Sequence, residues 1–308
     1  MLYYWLYILC KKRRAVIRFK HFFLSLIISV LLFSSSFSLF AASPEDELIL
    51  GVFPRRNAVA TTKLFTPLAK YLSTELGRNV HLVIAKDFPT FWSNVKQGYY
   101  DIVQFNQYHY VISNDKFGYQ VIAKNEEFGK SKLSSAIVVR QDSGIKRLED
   151  LKGKKILFGG DESAFVAYMC NTIMLRRAGL KKGDYIEEFA KNPPNATYAI
   201  FYKQAAAAGV GDIALSIPMV KSKIDTSELS YLAIGEALPH LPWAVKSKLP
   251  NALRTKVKQA MLNLNHTAEG QIVLKRAHLS GINAATDGEY DIVRRLIKEF
   301  ERDSIQNR

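Results

Sequence analysis

The sequence predicts an α/β protein of two domains, and three observations carry that reading. Two blocks of repeated strand–helix units, each about 90 residues long, call for two largely parallel sheets flanked by helices. A helical tail follows the second block from about residue 251, as if the chain returned to complete the first domain. A basic and apolar leader stands apart from both.

The leader comes first in the chain. Residues 1–42 carry six basic residues and no acid, followed by the apolar run "FFLSLIISVLLFSSSFSLFAAS". A basic start, an apolar core and a small-residue exit form the signal-peptide pattern. The core from Phe22 to Phe33 falls short of the ~20 residues that a spanning helix needs, which sets cleavage near Ala41–Ser43 and export to the periplasm. Removal leaves 37 basic against 28 acidic residues, a basic mature chain. Such a surface favours anionic solutes or a membrane face. The basic residues are not interleaved with aromatics as nucleic-acid binding requires, so nucleic acid is not an expected partner. Only Cys170 remains after cleavage, so no intramolecular disulfide is expected.

Along the mature chain, "LILGVF" (48–53) reads as a strand and "TPLAKYLSTELG" (66–77) as a helix. Thr66 and Pro67 supply its start and Gly77 its stop. "VHLVIAK" (80–86), "DIVQF" (101–105), "YQVIAK" (119–124) and "SSAIVVR" (134–140) read as strands. "FPTFWSNVKQG" (88–98) and "QYHYVISNDKFG" (107–118) read as helices. A strand ending at "FGG" leads to a helix over 163–178, with Phe165, Val166, Met169, Cys170, Ile173 and Met174 on one stripe. The alternation repeats through "YIEEFA", "NATYAIFYKQAAAAG", "DIALSI" and "SYLAIGEAL", before three helical segments ending in "YDIVRRLIKEFERD".

Ligands of such sheets sit beyond the carboxyl ends of the strands. The loops to watch are therefore 53–57, 86–91, 105–108, 158–163 and 190–197. "FGGDESAF" has the strand–turn–helix order of a nucleophile elbow. However, Asp161 and Phe165 occupy the two positions where its strained turn needs glycine, which argues against a hydrolase built on Ser163. An anion cradle suits the stretch better, because the first-turn N–H groups of a helix are unpaired and carry partial positive charge. Asn106 or Gln107 opens a second helix directly after a strand in the same way. The six histidines show no metal-ligand spacing, so neither a metal nor another cofactor is expected. His109 reads as a helix-surface residue, and Trp92 and Trp243 as core.

Taken in order and spacing, "LGVFP", "FTPLAKYLSTELG", "VIAKDF", "VKQGYYDIVQFNQYHYV", "IVVRQDSGIKRLEDLKGKKILFG", "SAFVAYMCNTIMLRRAGL" and "PHLPWAV" resemble the periplasmic solute-binding proteins of phosphate, phosphite and phosphonate ABC transporters. The resemblance implies a two-lobed type II periplasmic-binding fold, with 43–135 and 238–308 forming lobe 1 and 136–237 lobe 2. "SSAIVVR" and the segment near "YLAIGEA" would be the crossover strands. It implies capture without catalysis of a small oxyanion, by a monomer serving a membrane permease or, alternatively, a sensor kinase. The family's aromatic after the second strand falls at Phe88 and its Ser/Thr helix start at Ser163. Its later histidine falls near Asn195, and its tyrosine before the crossover strand near Leu133, where no tyrosine stands. The expected ligand-binding set is Arg55, Phe88, Asn106, Gln107, Ser163, Ala164 and Asn195. Asp161 and Glu162 either turn outward to cap the helix or pair with an amine on a zwitterionic ligand.

Overall fold

A computed structural model describes residues 47–55 and 58–306; the expected leader and its cleavage site lie outside them. The described residues form one compact unit.

The first half alternates as the sequence suggests. β1 (Glu47–Val52), α1 (Ala58–Leu76), β2 (Asn79–Val83), α2 (Phe88–Lys96), β3 (Ile102–Gln104), α3 (Gln107–Phe117) and β4 (Tyr119–Glu126) follow one another. Turn chemistry sets the boundaries. Asp87 caps α2 by accepting the Thr90 N–H at 2.8 Å, and Gly118 ends α3 at φ 67°.

α1 departs from expectation. It begins eight residues before Thr66, and Pro67 lies inside it. Thr61, Phe65, Leu68 and Leu72 form one buried stripe through the proline, so burial on both sides outweighs the helix bond that proline cannot make. Thr66 Oγ1 donates back to the Thr62 carbonyl at 2.7 Å rather than capping a new helix.

β5 (Lys132–Arg140) opens a second sheet, followed by β6 (Lys155–Gly159), α4 (Cys170–Arg177), β7 (Ile186–Ala190), α5 (Pro193–Phe201), β8 (Ala207–Gly211), α6 (Pro218–Lys221) and β9 (Leu229–Pro239). The helix expected from Ser163 starts instead as a π-turn over Phe165–Met169 and becomes regular only at Cys170. β8 is drawn from the alanine run that reads as helix, whereas "DIALSI" is a short 3₁₀ turn rather than a strand. Packing decides this: a Cβ on Gly209 would lie 2.3 Å from the Phe158 ring and 2.7 Å from the Ala167 carbonyl. Only a chain of small residues fits under the π-turn, whatever its helix propensity.

β10 (Pro242–Lys246), α7 (Asn251–Asn263), α8 (Ala268–Ala277), β11 (Gly281–Ala284) and α9 (Asp291–Gln306) complete the chain. The sheet orders are β11-β4-β10-β3-β1-β2 and β7-β6-β8-β5-β9. Parallel pairing joins β2, β1 and β3 in one sheet and β7, β6 and β8 in the other; the remaining pairs are antiparallel, so both sheets are mixed. β10 and β11 both pair with β4 of the first sheet, and β11 is a strand that the reading of helices alone missed. α9 packs against both α3 and α4. Arg177 pairs with its Glu299 at 2.8 Å, and the Arg176 guanidinium lies 4.8 Å from the Phe300 ring centre.

Candidate functional site

The loops after β3 and β6 meet. Asn106 caps α3, its Oδ1 accepting the His109 N–H at 2.8 Å, while its Nδ2 lies 3.5 Å from the Ser163 carbonyl oxygen in the β6 loop. Gln107, buried beside it, donates its amide to the Pro239 carbonyl at the end of β9, 3.0 Å away. Both residues therefore join one sheet's loop to the other sheet.

Ser163 does not cap α4. Its N–H and its hydroxyl both donate to Asp161 Oδ1, at 2.9 and 2.5 Å. A carboxylate of the chain itself thus occupies donors that an incoming oxyanion would use. The two glycines before it do not hold space for a ligand either. A Cβ on Gly159 would lie 2.6 Å from Pro193 Cα, and one on Gly160 2.6 Å from Ala164 Cβ. The Ala164 N–H donates to the Asp161 carbonyl at 2.9 Å. Asn195 is exposed in the first turn of α5, where its N–H bonds the capping Asn192 side chain at 3.0 Å.

Phe88 heads α2 with its ring 4.4 Å from the imidazole of His109. Trp92 at 4.7 Å, Tyr108 at 4.9 Å and Phe53 at 6.2 Å complete an aromatic wall around that imidazole. His109 is therefore not a surface residue: it is 2 % exposed. Its Nδ1 lies 2.7 Å from Asn106 Oδ1. A carbonyl oxygen only accepts, so Nδ1 carries a proton. Burial pushes its pKa down to about 3. Trp243 is core, as expected, with its Nε1 donating to Asn125 Oδ1 at 2.7 Å; Trp92 is half-buried against His109 and Phe117.

Arg55 is paired with an acid of the chain. Its Nη1 donates to Glu127 Oε1 at 2.8 Å, and that carboxylate is only 8 % exposed. His240 is fully buried near these charges, where β9 turns into β10. Its Nδ1 accepts the Leu241 N–H at 2.8 Å, so the ring proton sits on Nε2, which finds no partner among the described residues. Burial holds its pKa down to about 4, against an opposing pull from Glu127. Sequence reading missed Glu127 and His240 as parts of this cluster. The signal was a histidine between two prolines at the end of a crossover strand.

Removing Arg55 would take a cation away from the buried Glu127 carboxylate. Arg55→Ala is expected to cost about 2 kcal/mol, below the range for fully buried pairs because the guanidinium is partly exposed. Urea unfolding measures it, and Glu127→Gln in the same background should restore most of the loss.

Among the described residues, no group of three or more His, Cys, Asp or Glu side chains could hold a metal ion, and no helix is long and apolar enough to cross a membrane. Cys170 is free and buried.

Residues 50–290 match the family described as "ABC transporter, phosphonate, periplasmic substrate-binding protein". The chain belongs to that family. The family is a periplasmic class that binds substrate rather than transforming it, and its members work with membrane permeases. Solved structures agree on the fold. A phosphonate-transporter binding component from Pseudomonas aeruginosa superimposes with a TM-score of 0.72 at 16% identity, covering 85% of this chain and 89% of that one. A protein from Prochlorococcus marinus solved with methylphosphonate gives 0.72 at 17% identity, covering 83% and 98%. The architecture is therefore the type II periplasmic-binding fold. Among curated proteins, the tetrathionate sensor histidine kinase of Salmonella typhimurium is 28% identical over 173 residues, 54% of this chain. The chain spans only 29% of that kinase's length.

Proposed function

We propose that this family member captures a small phosphorus oxyanion between two lobes, residues 43–135 with 238–308 and residues 136–237, and delivers it to an ABC permease. The observation that carries the reading is the contact of Asn106 with Ser163, which brings the helix-start loops of the two sheets together where such folds take ligand. Phe88, Gln107, Ala164, Asn195 and Arg55 are the remaining ligand candidates. Exchange of Asp161 for the ligand at Ser163 would couple binding to lobe closure, since Ser163 also touches Asn106. We further infer that the protein acts as a monomer, exported with removal of residues 1–42.

A thermal-shift panel of phosphate, phosphite, methylphosphonate, 2-aminoethylphosphonate and sulfate tests this. A ligand at 100 times its dissociation constant adds ~2.7 kcal/mol of stability. Ser163→Ala should weaken the phosphorus ligand about tenfold, the loss of one charge-assisted hydrogen bond. Asp161→Asn should strengthen it by a similar factor, because a like charge leaves the donors. A panel with no shift would overturn the reading.

The second reading, a sensing subunit for a kinase, is favoured by the partial likeness to the tetrathionate sensor. Adding tetrathionate to the panel separates the two: a shift there, and none with phosphorus ligands, supports sensing.

A further inference from the structure

Outside the cleft, α1 and α8 enclose a groove of 510 Å³ lined by Lys63, Leu64, Ile272, Lys275, Arg276 and His278. None of the four basic side chains has an acidic partner among the described residues. The acids of the two helices lie elsewhere. Glu75 and Glu269 both act on Tyr71, which places the end of α1 beside the start of α8. The helices therefore run antiparallel, with acids at one end and unpaired cations at the other. Two apolar side chains stand out at the cationic end: Ile272 is 61 % exposed, and Val59, one turn before Lys63, is 81 % exposed.

We propose that this groove binds the anionic face of a phospholipid membrane. The cations meet headgroup phosphates, the stems of Lys63, Lys275 and Arg276 lie along acyl edges, and Val59 and Ile272 insert between headgroups. Charge complementarity selects the occupant, since unpaired cations around an apolar floor match a surface that is anionic outside and apolar beneath. The groove's position gives the contact a purpose. α1 starts directly after the β1 loop, and beyond α8 Ser280 accepts the Gly129 N–H at 2.9 Å in the connection between the two sheets. Membrane contact here keeps the protein at the surface where a permease lies. It does not depend on which ligand the cleft takes.

The test is co-sedimentation of residues 43–308, the chain without its leader, with vesicles of phosphatidylcholine alone or with about 30% phosphatidylglycerol at low salt. Binding is expected only with phosphatidylglycerol, fading as salt screens it. Lys275→Glu with Arg276→Glu should weaken it at least about 30-fold, at roughly 1 kcal/mol for each basic residue lost. Ile272→Ser should weaken it by a smaller factor. Lys221→Glu with Lys223→Glu, on the α6 surface, should leave it unchanged. The proposal is overturned by equal binding to both vesicles, by no binding, or by an equal loss in the α6 pair. Complete displacement by inorganic phosphate also overturns it, since that marks a small-anion site.

Discussion

Acidification from about pH 7 to about pH 5 is expected to remove about 4 kcal/mol of folding stability, shared between His109 and His240. Both histidines are neutral and buried, with pKa values held near 3 and 4 against an ordinary value of 6.5. In the unfolded chain they protonate as the pH falls through about 6.5, whereas in the folded protein they do not until the pH falls to their depressed values. Their contribution is therefore complete above about pH 6.5 and is lost progressively as the pH falls toward those values. Urea unfolding at the two pH values measures the loss. His109→Gln or His240→Gln should each flatten the profile by about half. A profile that is flat in the unsubstituted protein would mean that water reaches both rings.

The fold was legible where local chemistry and packing agree. Asp87, Asn106 and Gly118 mark helix ends by their own side chains or by a left-handed turn, and the structure keeps those boundaries. It was illegible where packing overrides local preference. Pro67 is a start signal that a continuous buried stripe cancels, and the alanine run at β8 is a strand because nothing larger than glycine fits at Gly209. The same division holds at the site. Asn106 and Ser163 could be picked out, because a polar residue that opens a helix directly after a strand is visible in the letters. The capture of Ser163 by Asp161 could not, since it depends on the π-turn that delays the helix. Nor could the burial of His109, because α3 is covered on several sides and its sequence "QYHYVISNDKF" shows no single apolar stripe.

Asn106→Ala is expected to cost about 3 kcal/mol, the largest loss from any single polar substitution at the site. Capping of α3 contributes about 1 kcal/mol of this. A further 1–3 kcal/mol, roughly, comes from the His109 Nδ1–H, which loses its acceptor in a buried place. The contact with Ser163 adds little, because 3.5 Å is at the limit of a hydrogen bond. Asn106→Asp separates these contributions. It keeps the cap and the acceptor, so stability at neutral pH should change little. It also places a carboxylate against the imidazole, which raises the His109 pKa and removes part of the acid sensitivity argued above. Stability in urea together with its pH profile checks both halves. If Asn106→Ala cost less than about 1 kcal/mol, the ring would have found another acceptor, and α3 would not owe its position at the cleft to this residue. If the expected loss appears with ligand affinity unchanged, Asn106 positions the site without touching what binds there.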